Sequence, residues 1–251
     1  MRVCFLSTFL LIALCAAWGS SSHAQSKVLL CRLVNVPDQY VGGEILTAVY
    51  SRLSIDVEFF DVEAARALAL SSTGGCDGEV QRIAKVAIDY PTLIRIEPAI
   101  NFIEPSVFTT GLIIAIQGWE SIRGREIGIV RGVGSSEAGT AGMPQVQAAT
   151  SLHNLILMLD RGRFELLVTD LFSGEIEIRK LGLQDRIRPL APPLERIYIY
   201  HYLNERHRAL ATRVAAVIHA MAESGELELL RQRLVDHALI EAAKEATVPN
   251  Q

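Results

Sequence analysis

The sequence predicts an α/β chain built as two doubly wound units, each a sheet with helices on both faces, joined by two stretches of extended chain. Three observations carry this. Apolar runs of strand length alternate with stretches of helical period. The alternation gives way to a long extended segment, from Asn101 to Gln117, and then begins again with the same grammar. A second extended segment, Leu194–Leu203, follows Pro192 and Pro193 and is succeeded by helices alone. Half of the 251 residues are apolar and 21% are charged, enough for a sizeable core and too apolar for a disordered chain. The 24 basic and 28 acidic residues are spread evenly, so the basic footprint of a nucleic-acid binder is missing.

Residues 1–24 stand apart. Met1 and Arg2 give a short positive start, Val3 to Trp18 is apolar apart from Ser7 and Thr8, and Ser22-His23-Ala24 fits a small-x-small cleavage site. A membrane anchor is the alternative, but the apolar run falls short of the ~20 residues that span a bilayer. The expectation is a signal peptide cleaved after Ala24 and a soluble product exported to the periplasm. Cys4 and Cys15 leave with that segment. Cys31 and Cys76 stay in an oxidising compartment, where they are read either as a disulfide or as two buried thiols.

From Lys27 the elements follow in order. Val28–Asn35 is a continuous apolar run broken by Arg32, as in a buried parallel strand. Gly42-Gly43 is read as the opening of a helix with Ile45, Leu46, Val49 and Leu53 on one face. Asp56–Phe60 reads as a second strand, and Asp61 as the N-cap of a helix that Gly74-Gly75 ends. Asp77–Val80 is a short third strand. First and third strands are often neighbours in a doubly wound sheet, which brings Cys31 and Cys76 within disulfide reach.

In the second unit Glu126–Val130 is a strand followed by a Gly/Ser turn, and Gln145–Ala149 is another. Ser151 caps a helix with Leu152, Leu155, Ile156 and Leu159 on one stripe, and Gly162 sits where a C-terminal cap belongs. Phe164–Thr169 is a strand and Leu171–Leu181 a helix ending at Gly182. Helices over Glu205–Glu223, Glu226–Leu234 and Asp236–Ala246 finish the chain and are expected to cover the first sheet. That makes the first lobe discontinuous, residues 25–110 with 198–251, around a second lobe of 111–197.

In this order the motifs resemble the periplasmic solute-binding proteins of the amino-acid (family 3) type, which serve ABC transporters. Asp77–Glu79 (DGE) is similar to the family's third-strand "D-[AG]-x". Phe108–Ile114 (FTTGLII) is similar to its first crossing between lobes, and Trp119–Gly132 (WESIRGREIGIVRG) to "W-x-x-L-x-G-K-x-[IV]-[AG]-V-x-x-G". Gly162–Asp170 (GRFELLVTD) matches "G-R-x-D-A-x-x-x-D", Tyr198–Leu210 the return crossing, and Ser224–Leu227 (SGEL) the closing motif. The resemblance covers the chain beyond the signal segment. It implies a two-lobe, type II binding-protein fold with a two-strand hinge, a small-molecule ligand (an amino acid or related organic acid) captured by hinge closure, and a monomer that serves a membrane transporter or sensor.

The resemblance also implies ligand residues. Asp170 matches the aspartate that holds the α-ammonium, and Gly132, Val133, Gly134, Ser135 and Ser136 match the turn whose N–H groups hold the carboxylate. Val133 stands where the family has Thr. The family's "T-x-T-x-x-R" stretch is absent, and Arg82 is the nearest substitute, with Arg95 a poorer one. Glu79 and Arg82 close the third strand, and Tyr40 lies in the loop that often offers an aromatic wall. From the residues alone each has a second reading: an ordinary tight turn, a helix cap at Asp170, an ion pair between Glu79 and Arg82, and a lone loop tyrosine. A dinucleotide reading of the turn fails at Glu137, which would repel pyrophosphate.

Enzyme signatures are missing. There is no H-E-x-x-H, C-x-x-C or G-x-S-x-G, and the five histidines after residue 24 lack metal-ligand spacing. No cofactor or catalytic activity is expected. One enzyme alternative is a dehydratase on the same two-lobe fold, with Glu79 as acid and Arg82 for the substrate carboxylate.

Overall fold

The computed structural model describes residues 26–246; the expected signal peptide lies outside them. The first sheet opens with β1 (Ser26–Leu33), α1 (Pro37–Ser51), β2 (Ile55–Val62), α2 (Ala64–Thr73) and β3 (Gly78–Ile83). The strands are parallel in the order β2-β1-β3, the expected doubly wound arrangement. A short α3 (Val86–Asp89), β4 (Leu93–Arg95) and β5 (Asn101–Ile103) follow. The sheet is completed late in sequence by β11 (Ile197–Asn204), antiparallel to β3, β4 and β5.

The second sheet has the order β10-β6-β9-β7-β8. It contains β6 (Pro105–Thr109), β7 (Ile127–Val130), β8 (Val146–Ala149), β9 (Leu166–Asp170) and β10 (Arg188–Pro189), with α4 (Gly134–Gly139), α5 (Leu152–Asp160) and α6 (Leu171–Lys180) between them. The extended segment from Asn101 therefore changes sheets at Glu104, between β5 and β6. The return crossing lies between β10 and β11. The two crossings are tied together where Arg196 donates twice to Glu104 and the Leu194 N–H reaches the Pro105 carbonyl at 2.8 Å.

Several local expectations are corrected. Helix α1 starts at Pro37, five residues before the glycine pair, because proline's fixed φ suits the first helical position. Gly42 and Gly43 lie inside it for close packing: a Cβ on Gly42 would stand 2.3 Å from Gln81 Oε1, and one on Gly43 3.2 Å from the Phe59 ring. Asp61 does not cap α2. It stays in β2 opposite Arg32 and takes its guanidinium on both oxygens, at 2.6 and 2.9 Å. The break expected near Val235 is absent, and α8 runs unbroken over Glu226–Glu245 after α7 (Arg208–Glu223). Ser151 does cap α5, through Asn154, and Gly162 takes the left-handed conformation just past its end.

The cysteines form a disulfide, with Cα atoms 5.8 Å apart and the bond joining β1 to the approach of β3. The largest core cluster joins Val28, Leu30, Ile45 and Leu46 of the first unit to Val214, Ile218, Met221 and Leu227 of the C-terminal helices. Helix α8 then runs on across both sheets. At its start Glu226 pairs with Arg52 at the end of α1, and at its end Glu245 pairs with Lys180 at the end of α6, 2.9 Å away. Phe172 of α6 packs against the first-sheet core. Among the described residues no helix is long and apolar enough to cross a membrane.

Candidate functional site

Asp38 and Asp170 come one from each of the two units. Each sits where a parallel strand ends and a helix begins, the position at which open α/β sheets bind ligands. Asp170 ends β9 and caps α6: Oδ2 accepts the Ser173 N–H and hydroxyl at 3.0 and 3.1 Å. Its Oδ1 accepts the Glu104 N–H at 3.0 Å, which ties the second unit to the crossing segment. Asp38 lies in the first turn of α1 and is 8% exposed. Its Oδ1 accepts from Asn101 at 2.7 Å, and Gln81 donates to Oδ2 and to the Asp38 carbonyl.

Gln81 reaches Asp38 because of a bulge. Tyr200 pairs with Arg82 but Tyr202 with Glu79, so Val80 and Gln81 together oppose the single residue His201. The extra residue turns Gln81 onto the α1 face beside Val80, where strict alternation would have sent it to the α2 face.

The two aspartates line one cavity of about 250 Å³ at the junction of the lobes. Phe102 and Glu104 of the crossing, Glu175 of α6 and Arg231 and Asp236 of α8 complete its charged and aromatic wall. Burial holds the Asp38 carboxyl well above the usual carboxylate range, and repulsion from Asp170 adds to it, against the hydrogen bonds of Asn101 and Gln81 and the nearby Arg231 charge. Burial also raises Asp170, against the pull of the Ser173 and Glu104 N–H groups. The cavity thus favours a positive group that would let both carboxylates ionise. Arg231 supplies the one guanidinium of the wall. It stacks over Phe102, 4.0 Å from the ring centroid, and pairs with Glu228.

A second cavity, of about 600 Å³, lies between α1, α6 and α8. Tyr40 lines it, 42% exposed, with the Arg32 guanidinium 4.2 Å from its ring centroid.

The other residues singled out in the sequence are placed elsewhere. Glu79 is 1% exposed; Ser71 of α2 donates to its Oε1 at 2.6 Å and Arg82 to its Oε2 at 2.8 Å. Arg82 also donates to the Ala64 carbonyl. The pair lines neither junction cavity and is held against α2. The Gly132–Ser136 turn follows β7, with Gly132 at a φ of 84°. The Glu137 carboxylate accepts the Gly132 N–H at 2.8 Å, so the chain's own anion takes that donor. Val133 and Gly134 lead into α4 with Ser135, and Ser136 is buried; none of them lines either cavity. No group of three His, Cys, Asp or Glu side chains that could hold a metal is present among the described residues.

The sequence reading missed Asp38, Glu104 and Arg231. Asp38 had a signal in its place after the first strand. Glu104 and Arg231 had none, since their role depends on where the crossing and α8 pass.

The sequence matches no protein-family model and no curated protein. Solved structures do match in fold. A histidine kinase sensor domain with similarity to periplasmic binding proteins aligns over 84% of this chain and 96% of its own, with 17% identity and a TM-score of 0.61. The amino acid ABC transporter substrate-binding protein AbpA of Streptococcus pneumoniae, bound to L-arginine, aligns over 86% and 97%, at 13% identity and a TM-score of 0.64. The GluR0 ligand-binding core in complex with L-glutamate aligns over 86% and 99%, at 12% identity and a TM-score of 0.67. At these identities the likeness speaks for architecture: the chain has the two-lobe α/β fold of periplasmic-binding-protein-like domains.

Proposed function

We propose that the chain is exported and acts, as a monomer, by capturing a small solute with a cationic group, an amino acid, between its two lobes. The observation that carries this is the acidic junction cavity, walled by Asp38 from one lobe, Asp170 from the other and Glu104 from the crossing between them. Its volume of about 250 Å³ suits a molecule of amino-acid size. An ammonium group there relieves the repulsion between two buried carboxylates, and Arg231 offers a partner for a ligand carboxylate. An organic acid without a cation lacks that compensation. Contacts to both lobes favour the state in which the lobes are closed, and a membrane transporter or sensor reads that state. Neighbours of both kinds, and ligands such as L-arginine and L-glutamate in them, support this reading. The apolar leader and its small-x-small end support export to the periplasm. A catalytic role is not part of the proposal, because Glu79 and Arg82 are engaged with each other and with α2.

The test is a calorimetric screen of amino acids, polyamines and organic acids, followed by Asp170→Asn. Asparagine retains most of the helix cap while removing the charge. Losing a charge-assisted contact worth about 1.5–3 kcal/mol weakens binding roughly 10- to 150-fold. Unchanged affinity in a folded Asp170→Asn protein would refute the assignment.

A further inference from the structure

We propose that the two junction cavities form one bipartite site, with Phe172 as the wall between them, and that the ligand is an organic amine carrying an apolar tail. This rests on the acidic-cavity reading above and names the ligand class more closely. Among the described residues Phe172 alone lines both cavities. It stands two residues after Asp170, in the first turn of α6, and is anchored by partly buried packing against the first-lobe core. On one side of it lies the carboxylate-rich compartment with Asp38 and Asp170. On the other lies the larger compartment, whose floor is Tyr40, Val41, Ile176, Leu234, Ala238 and Ala242. That floor draws on α1, α6 and α8, hence on both lobes. A tail seated there bridges the same elements that the head group bridges.

The charges agree with the polarity of such a molecule. The rim of the larger compartment carries Glu44, Glu177, Glu241 and Glu245, with Glu245 paired to Lys180, Glu241 to Lys244 and Glu177 to His153. The choice of an ammonium over an anionic head therefore falls to the smaller compartment, where Asp38, Asp170, Glu104, Glu175 and Asp236 stand against Arg231. Apolar contact supplies the rest. Transfer of a methylene from water to an apolar surface strengthens binding about fourfold. A compartment of about 600 Å³ has room for a chain of several carbons.

The test titrates the intact protein with straight-chain primary amines from propylamine to octylamine, and with carboxylic acids of the same lengths, by calorimetry and ligand-observed NMR. Affinity should rise about fourfold per methylene once the tail passes Phe172, and the acids should not compete. Ala238→Phe fills the larger compartment, so it should remove the gain for octylamine and leave propylamine unchanged. Circular dichroism establishes that the variant is folded. Propylamine binding with a flat chain-length series, a rise that survives Ala238→Phe, or equal binding of octylamine and octanoate each overturns the bipartite site and leaves the acidic compartment standing. If no straight-chain amine binds while an amino acid binds and depends on Asp170, the bipartite site falls alone; if no cationic solute binds the unaltered protein, both readings fall.

Discussion

Acidification should remove a stabilising contribution made by His201. Its ring is fully buried, with Nδ1 2.7 Å from the Glu79 carbonyl and Nε2 2.9 Å from the Tyr50 hydroxyl. A carbonyl only accepts, so Nδ1 carries the hydrogen and Nε2 accepts from Tyr50. That neutral tautomer satisfies every partner, and an added proton would place a charge in the core. Burial accordingly lowers the His201 pKa to about 4, against the backbone carbonyls that favour the charged form. In the unfolded chain the imidazole titrates near its ordinary value of about 6.5. Above that value the two states bind the same number of protons and the stabilisation is complete. Between about 6.5 and 4 the unfolded state is protonated first, so stability falls by about 1.4 kcal/mol per pH unit, roughly 3 kcal/mol in all. The raised carboxyls of Asp38, Glu79 and Asp170 act in the opposite sense: they take up protons more readily when folded, so acid relieves them. The assay is therefore a difference: urea unfolding of the unaltered protein and of His201→Gln at several pH values from 7 to 4. The gap between the two curves should narrow by about 3 kcal/mol over that range. Parallel curves would refute the account of His201 as a buried neutral base.

Two further outcomes are expected. Intact-mass analysis of the exported protein should give a chain that begins at Gln25 with Cys31 and Cys76 joined; reducing the bond, which closes a loop of 45-residue separation, should cost about 4 kcal/mol. An uncleaved chain or two free thiols would contradict it. Arg82→Ala should lower stability by about 3–5 kcal/mol, because it leaves the 1%-exposed Glu79 carboxylate without its cation, and adding Glu79→Gln should restore most of that. A loss confined to ligand affinity, with stability unchanged, would instead place Arg82 in the site.

What the sequence determined by itself is local or combinatorial. Apolar period and turn residues specified the strand and helix order, because each depends on neighbours a few positions away. Ser151 and Gly162 marked the ends of α5 by the chemistry of caps, and the places of Cys31 and Cys76 along a doubly wound sheet put them within disulfide reach, which the folded chain turned into a bond. Gly42 and Gly43 misled for the same reason: a glycine pair normally punctuates a helix, and only Gln81 and Phe59, brought up against α1 from β3 and β2, explain why it sits inside one. Asp61 resembled a cap until β2 ran on past it to meet Arg32. The site was less legible still. Asp170 was visible as a strand-end carboxylate, but its partner Asp38 is defined by Gln81 and Asn101, which arrive through a bulge and a crossing strand. Glu79 and Arg82 lie near opposite ends of β3 yet both turn to α2, since side-chain direction in a strand is set by register rather than by composition. The tertiary structure alone decided that α8 spans both lobes. It packs against α1 and α6 together, and both of those helices come from residues more than forty positions away in the sequence.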